Sequence, residues 1–223
     1  ATDTAPLWGA HFRPGIRRYD AVPRNTEYHQ EVGLRVLLST LCRTAARYDI
    51  GIDPVLAHVE GHFARTYLRL ERGPDPADAA IDELGLLWHC PECLHRVTER
   101  TRFGSDRERC PACDSDQYRT AGPLWLGHTH DPSFVRATAE ALDESMGTVA
   151  STRRRLHRQA GELTVPTHYD HHRLCDRWSR PAGPMDEVLC RLRDAGYAAS
   201  RTQYGGTTFK TPADVATIRE VTG

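Results

Sequence analysis

The 223-residue sequence predicts a mixed α/β chain in two parts, the second organised around a bound metal. Three observations predict this. Apolar residues recur at three- and four-residue spacing through residues 27–48, the pattern of a helix. Two strand-like runs at 54–59 and 63–70 are separated by Gly61 and His62 and read as a hairpin. Two C-x-x-C pairs, Cys90/Cys93 and Cys110/Cys113, lie sixteen residues apart, the spacing of a zinc ribbon or knuckle.

In the helix, Val32, Val36, Leu37, Leu41, Ala45 and Tyr48 share one predicted apolar face. Residues 63–70 (FARTYLRL) alternate apolar with polar, as a half-buried strand does. The preceding stretch, rich in Arg, Gly and Pro, reads as irregular. Residues 71–76 (ERGPDP) form a breaker cluster and a predicted boundary, dividing the chain into 1–73 and 74–223. A strand is predicted at 84–89, and a short apolar run at 122–127. Helices follow at 133–144, 148–162, 169–178 and 185–195, with Pro132 and Pro184 at expected helix starts. The end reads as strand 197–202, a turn at 204–206, strand 207–210 and a helix from Pro212.

Formal net charge is −1, so the molecule as a whole is not a polycation. Of the 29 Lys and Arg residues, Lys210 alone is lysine. Codon bias is the bland reading, and we favour it; the functional one is that arginine grips phosphate bidentately and stacks on bases. Composition does not separate them. No run approaches a membrane span, and the first residues have neither the basic nor the apolar segment of a signal peptide. The chain therefore reads as cytoplasmic and without a membrane partner.

The seven cysteines are too sparse for a secreted disulfide scaffold. Cys42, Cys175 and Cys190 sit in apolar helical patterns and are expected to be buried as small hydrophobes. The other four are expected to bind Zn²⁺. Four thiolates close a tetrahedral shell and leave no position for water, so such a site is structural rather than catalytic. A redox motif would need only one pair. Between the pairs lie Arg96, Arg100, Arg102, Arg107 and Arg109, either a solvated loop or a finger offered to phosphate. Arg153, Arg154, Arg155 and Arg158 form a second basic stretch with the same two readings. His168, His171 and His172 share a predicted helix face, but no second ligand segment accompanies them. No nucleophile–histidine arrangement and no glycine-rich phosphate loop is present.

Taken together, residues 2–7 (TDTAPL), 29–38 (HQEVGLRVLL), 122–127 (GPLWLG), 166–170 (PTHYD) and 196–202 (GYAASRT) with 209–211 (FKT) resemble one family, the tRNA (guanine 26, N2) dimethyltransferases. Residues 2–7 (TDTAPL) resemble its T-D-T/M-A-P-L motif, and 29–38 (HQEVGLRVLL) its following helix. The cysteine pairs and 122–127 (GPLWLG) match its order. Residues 166–170 (PTHYD) resemble its P-x-Y-Y-D element. Residues 196–202 (GYAASRT) with 209–211 (FKT) resemble its G-Y-x-A-S-R-T-H-F…K-T-D-A stretch. Trp8 replaces a usual cysteine, Gln203 a usual histidine, and residues 211–214 (TPAD) a tighter T-D-A.

The resemblance covers the whole chain. It implies an α/β fold: the remnant of a class I methyltransferase domain (1–73) followed by an α+β zinc-containing tRNA-binding domain (74–223). It implies S-adenosylmethionine-dependent dimethylation of a guanine N2 in tRNA, with S-adenosylmethionine as cofactor of the complete enzyme. The family's glycine-rich donor loop and D-P-F/P-type motif are not in this sequence. The chain alone is therefore expected to be incomplete and inactive; the half that carries these motifs is lost, split off or not included, and if split off, a separately encoded N-terminal half joins tRNA as a partner. The guanine amine is a weak nucleophile and needs an aligned acceptor for its proton. Asp3 is the one carboxylate in a family motif near that site; a turn or cap role is its simpler reading. The RNA contacts are expected at Arg96, Arg100, Arg102, Arg153, Arg154, Arg155 and Arg158. The competing reading is a zinc-ribbon RNA-binding protein without enzymatic activity.

Overall fold

The computed structural model describes residues 1–101 and 107–223. The chain opens with helix α1 (Phe12–Tyr19) and helix α2 (His29–Ala46), then the hairpin of β1 (Ile50–Glu60) and β2 (Phe63–Arg72). Gly61 makes the hairpin turn at a φ of +53°, in the left-handed region that glycine enters without Cβ crowding. The strands pair antiparallel from Ile50↔Arg72 to Glu60↔Phe63. The register shifts between Pro54 and Leu56, and a bulge is where a residue without an N–H is accommodated.

Helix α1 was not expected, because Pro14 and Gly15 read as breakers. Pro14 lies in the first turn, where its missing N–H goes unused. At Gly15 a Cβ would stand 2.6 Å from the Pro6 carbonyl, so glycine lets the helix rest on the preceding loop.

Helix α2 departs from the predicted single apolar face. Leu34, Leu38 and Cys42 pack with Ile52, Ala57, Val59 and Ala64 of the hairpin. Val32 and Val36 pack on another side, with Leu87, Ala121 and Leu124. The helix is thus a wall shared by two cores, and Glu31, Arg35 and Ser39 are fully buried on it as well. Tyr48, predicted on the apolar face, is 73% exposed beyond the helix end.

The breaker cluster at 71–76 leads straight into helix α3 (Pro74–Asp82). Its Ala80, together with Leu84 and Trp125, joins the same cluster as α2 and the hairpin, so one core crosses residue 73. Strands β3 (Leu84–His89), β4 (Arg96–Glu99) and β5 (Arg119–Trp125) form a sheet of order β4-β3-β5. β4 falls in what the sequence presented as an arginine-bearing loop. Helices α4 (Pro132–Glu140) and α5 (Val149–Ala160) pack on each other, and their Val135, Ala139 and Leu156 cover Leu56 of β1. The Asp131 carboxylate caps α4 by accepting from the Ser133 and Phe134 N–H groups.

The C-terminal unit has its own core. Strands β6 (Tyr169–Asp170), β7 (Ser200–Arg201) and β8 (Thr208–Lys210) form a sheet of order β6-β8-β7. Against it lie α6 (His171–Arg177), α7 (Met185–Asp194) and α8 (Val215–Thr222). Asp170 and Asp214 cap α6 and α8 with their carboxylates. Among the described residues every strand pairing is antiparallel, and no helix is long and apolar enough to cross a membrane.

Candidate functional site

The four paired cysteines lie at the end of the β4-β3-β5 sheet, in two turns with the same hydrogen-bond pattern. In the first, the Leu94 N–H donates to the Cys90 carbonyl and the Cys90 N–H to the His95 carbonyl, both at 2.9 Å. In the second, the Asp114 N–H donates to the Cys110 carbonyl at 2.8 Å and the Cys110 N–H to the Ser115 carbonyl at 2.9 Å. Leu94 and Asp114 hold left-handed φ values of 63° and 59°. That conformation costs a leucine on the order of 1 kcal/mol, which the rest of the turn must offset.

These turns aim both thiols of each pair at one point. Cys90 Sγ lies 3.6 Å from Cys113 Sγ, and Cys93 Sγ 3.6 Å from Cys110 Sγ. All four sulfurs fall within 4.8 Å of one another, the one such group among the described residues. A tetrahedron with metal–sulfur bonds of about 2.3 Å has edges of about 3.8 Å, so the donor set fits a four-sulfur ion. Burial pushes the Cys93 and Cys110 thiols up, whereas the Ser115 N–H pulls Cys113 down. A cation at the centre supplies what burial denies the thiolates. Trp88 and Tyr118 close the inner side of the site.

The arginines singled out in the sequence sort into different environments. Arg96 is buried: its guanidinium lies 4.4 Å from the Tyr28 ring centre and 3.5 Å from that of Tyr169, with Glu27 at 3.7 Å. It pins the cysteine-bearing sheet between α2 and the C-terminal unit rather than facing solvent. Arg100 pairs with Glu83 at 2.7 Å, Arg107 with Glu99 at 2.9 Å and Arg109 with Asp114 at 2.9 Å. Arg102 lies outside the described residues. On α5, Arg153 pairs with Glu144, and Arg155 with Glu60 at 2.7 Å. Arg154 and Arg158 are exposed. Asp3 is exposed and bound to Arg18 at 2.6 Å.

Of the scattered cysteines, Cys42 and Cys175 are buried as expected. Cys190 is exposed on α7, its thiol 3.4 Å from the Asp194 carboxylate. The three histidines do not converge. His168 points to Glu31, His171 lies against Cys175, and His172 is exposed.

Sequence reasoning missed a charge cluster in which every member is buried. Lys210 Nζ stands 3.0 Å from Glu31 Oε1 and 2.9 Å from Glu162 Oε1, with all three side chains at 0% exposure. These are ionic contacts rather than aligned hydrogen bonds. Arg35 Nε donates to Glu31 Oε1 at 2.9 Å, and its Nη1 to the Trp125 and Gly127 carbonyls. The His168 backbone N–H donates to Glu31 Oε2 at 2.8 Å, and its Nδ1 meets the same oxygen at 2.8 Å. Burial alone would push Glu31 up; Lys210, Arg35 and His168 outweigh it and hold the carboxyl well below the usual range. Burial keeps Glu162 raised, with Lys210 opposing it. Two clues were present in the sequence: a Glu31/Arg35 pair one turn apart inside an apolar helix, and the chain's one lysine.

Comparison with known proteins places these features. The profile of the N2,N2-dimethylguanosine tRNA methyltransferase family matches residues 1–223. A tRNA (guanine(26)-N(2))-dimethyltransferase of Haloarcula marismortui is 56% identical over 222 residues, covering 100% of this chain and 60% of that protein. One from Methanosarcina mazei is 39% identical over 222 residues, covering 99% and 57%. The structure of Trm1 from Pyrococcus horikoshii with S-adenosyl-L-methionine superposes with a TM-score of 0.88 at 32% identity, covering 99% of this chain and 57% of that one. The chain thus spans about 60% of the length of the curated relatives it matches. Over its whole length it belongs to the N2,N2-dimethylguanosine tRNA methyltransferase family.

Proposed function

We propose that this chain serves the S-adenosylmethionine-dependent dimethylation of guanine 26 in tRNA at its exocyclic N2. The observation that carries this reading is the family match across all of residues 1–223, which leaves no segment of the chain unaccounted for. S-adenosylmethionine, when bound, supplies the methyl group. In this reading residues 1–73 belong with the methyltransferase domain and 74–223 act on tRNA. The shared core across residue 73 makes this a division of labour rather than of packing.

The role we assign to Cys90, Cys93, Cys110 and Cys113 is to hold one structural Zn²⁺. The four-sulfur shell has no open position, so it shapes the ribbon and takes no part in methyl transfer. The RNA contacts in this reading are phosphate contacts by exposed arginines of the ribbon and of α5. Asp3 is held by Arg18 at the surface, and the proposal gives it no proton to carry.

The test is transfer of a radiolabelled methyl group from S-adenosylmethionine to unmodified tRNA by this chain together with a supplied donor-binding N-terminal half, with mass-spectrometric identification of the nucleoside. Label at position 26 as N2,N2-dimethylguanosine, lost when that guanine is replaced by adenine, is the expected result. tRNA binding with no transfer would instead favour the zinc-ribbon binding protein.

A further inference from the structure

The arginine run on α5 splits in two once its neighbours are in place. Arg153 and Arg155 each have a carboxylate partner, Glu144 and Glu60. Arg154 and Arg158 are one helical turn apart, on one face, and exposed; neither lies in any ion pair among the described residues. Beyond Arg158 the surface dips into an open groove of about 650 Å³.

The charge of this groove is one-sided. His157 and Arg158 line one wall, and Arg193 and Arg201 the other. Asp186 is the one carboxylate among its lining residues; Arg201 donates to it from Nε and Nη2, at 3.3 and 2.8 Å, and from Nη1 to the Gly206 carbonyl, so that pair cancels and Arg158 and Arg193, on facing walls, carry the excess positive charge. Arg193 rests two of its nitrogens on the Ala199 carbonyl, at 3.1 and 2.7 Å, which fixes the guanidinium and leaves Nη1 over. Gly161, Ala198 and Ala199 also line the groove, so little side-chain bulk keeps a ligand from its floor. Basic residues in the last turn of α5 also complement that helix's C-terminal dipole. The dipole does not account for Arg154 a turn earlier, nor for two arginines arriving from α7 and β7.

We infer that this groove, with Arg154 leading into it along α5, is a track for the phosphodiester backbone of folded RNA. Guanidinium forks match phosphate oxygens bidentately, and two facing basic walls suit a ligand carrying a charge at every repeat. The assignment rests on the tRNA reading above and narrows it to one surface. It also divides the run by role: Arg154 and Arg158 contact RNA, whereas Arg153 and Arg155 tie α5 to its neighbours.

The test uses the full chain and fluorescently labelled, unmodified tRNA, with affinity followed by anisotropy from about 50 to about 200 mM salt. R154Q/R158Q should weaken binding about tenfold and reduce the slope of log affinity against log salt by about two, one per lost phosphate contact. R153Q/R155Q should leave affinity within about twofold, because neither side chain is assigned to phosphate. Circular dichroism confirms that both variants fold. Wild-type binding and slope in R154Q/R158Q would overturn the inference, as they would if the groove served an acidic peptide instead. Equal loss in the two double variants would overturn it too. Absence of methyl transfer by this chain with the N-terminal half supplied, with tRNA binding intact and lost in R154Q/R158Q, would sink the enzymatic reading and leave the groove standing.

Discussion

Replacing Lys210 with methionine keeps the length of the side chain and removes the ammonium between two buried carboxylates. Glu31 retains Arg35 and His168. Glu162 retains only the Gln203 backbone N–H at 2.9 Å, so most of the cost falls there. Removing one partner of a buried pair costs about 3–5 kcal/mol, against a total stability of roughly 5–15 kcal/mol for a folded domain. We expect a loss near 4 kcal/mol at pH 8, on that scale. Glu162 can escape by taking up a proton, at about 1.4 kcal/mol per pKa unit. Its folded pKa is already raised, so the folded state holds that proton more tightly than the unfolded chain. Its contribution therefore declines as pH rises through the folded value. K210M extends that decline upward, and the loss should shrink at pH 5. Urea unfolding followed by tryptophan fluorescence measures both, and adding E162Q should recover about half the loss. A change below about 1 kcal/mol at both pH values would mean that the ammonium does not neutralise these carboxylates.

Three further outcomes are expected. Protein purified under reducing conditions should contain one zinc per chain by elemental analysis; Cys110→Ser should lose it and disorder the ribbon while the C-terminal core stays folded, and wild-type protein without zinc would refute the site. Arg96→Ala should cost about 3 kcal/mol by removing a desolvated cation from two tyrosine faces, with tRNA affinity changed by less than about twofold if its role is packing alone. Burial, with Lys210 and His128 nearby, lowers His130 to about 4. Its stabilisation is complete above the unfolded value near 6.5 and is lost as pH falls, about 2 kcal/mol by pH 5. His130→Gln should flatten the pH 7 to pH 5 stability change by that amount, and an unchanged slope would refute the assignment.

The hairpin, β3, α4, α5 and α7 were legible because each carries its own period or cap within a short window. The four-cysteine cluster was legible for the same reason: two-residue spacing brings both thiols of a pair to one point whatever surrounds them. Helix α1 was not, since Gly15 acts there through contact with Pro6 and not through its local preference. The second buried face of α2 was equally hidden, because periodicity finds one stripe and cannot count the elements that pack on a helix. Arg96 and Arg100 look alike in sequence, yet one is enclosed by Tyr28 and Tyr169 and the other pairs at the surface. Only the meeting of α2 with β6, far apart in the chain, separates them. Lys210 reads as an oddity of composition until Glu31, from the first turn of α2, and Glu162, just past the end of α5, meet it on β8.

The double burial of α2 bears on how the molecule comes apart. The hairpin and the β4-β3-β5 sheet press on opposite sides of one helix, so neither core can open without exposing part of the other. Those two regions should melt as a single cooperative body. The C-terminal core is a separate cluster, joined to that body at the Lys210 and His168 contacts with Glu31 and at the Arg96 sandwich, with smaller acid-indifferent contacts where Tyr204 packs on the hairpin–α2 cluster, Leu94 packs on the C-terminal core and the Gln203 amide donates to the Ala57 carbonyl. An apolar seam is indifferent to acid, whereas the Glu31 seam persists only while that carboxyl stays ionised, far below neutral pH. Strong acid is therefore the condition that should part the two bodies first, leaving α2 still clasped between its own two cores.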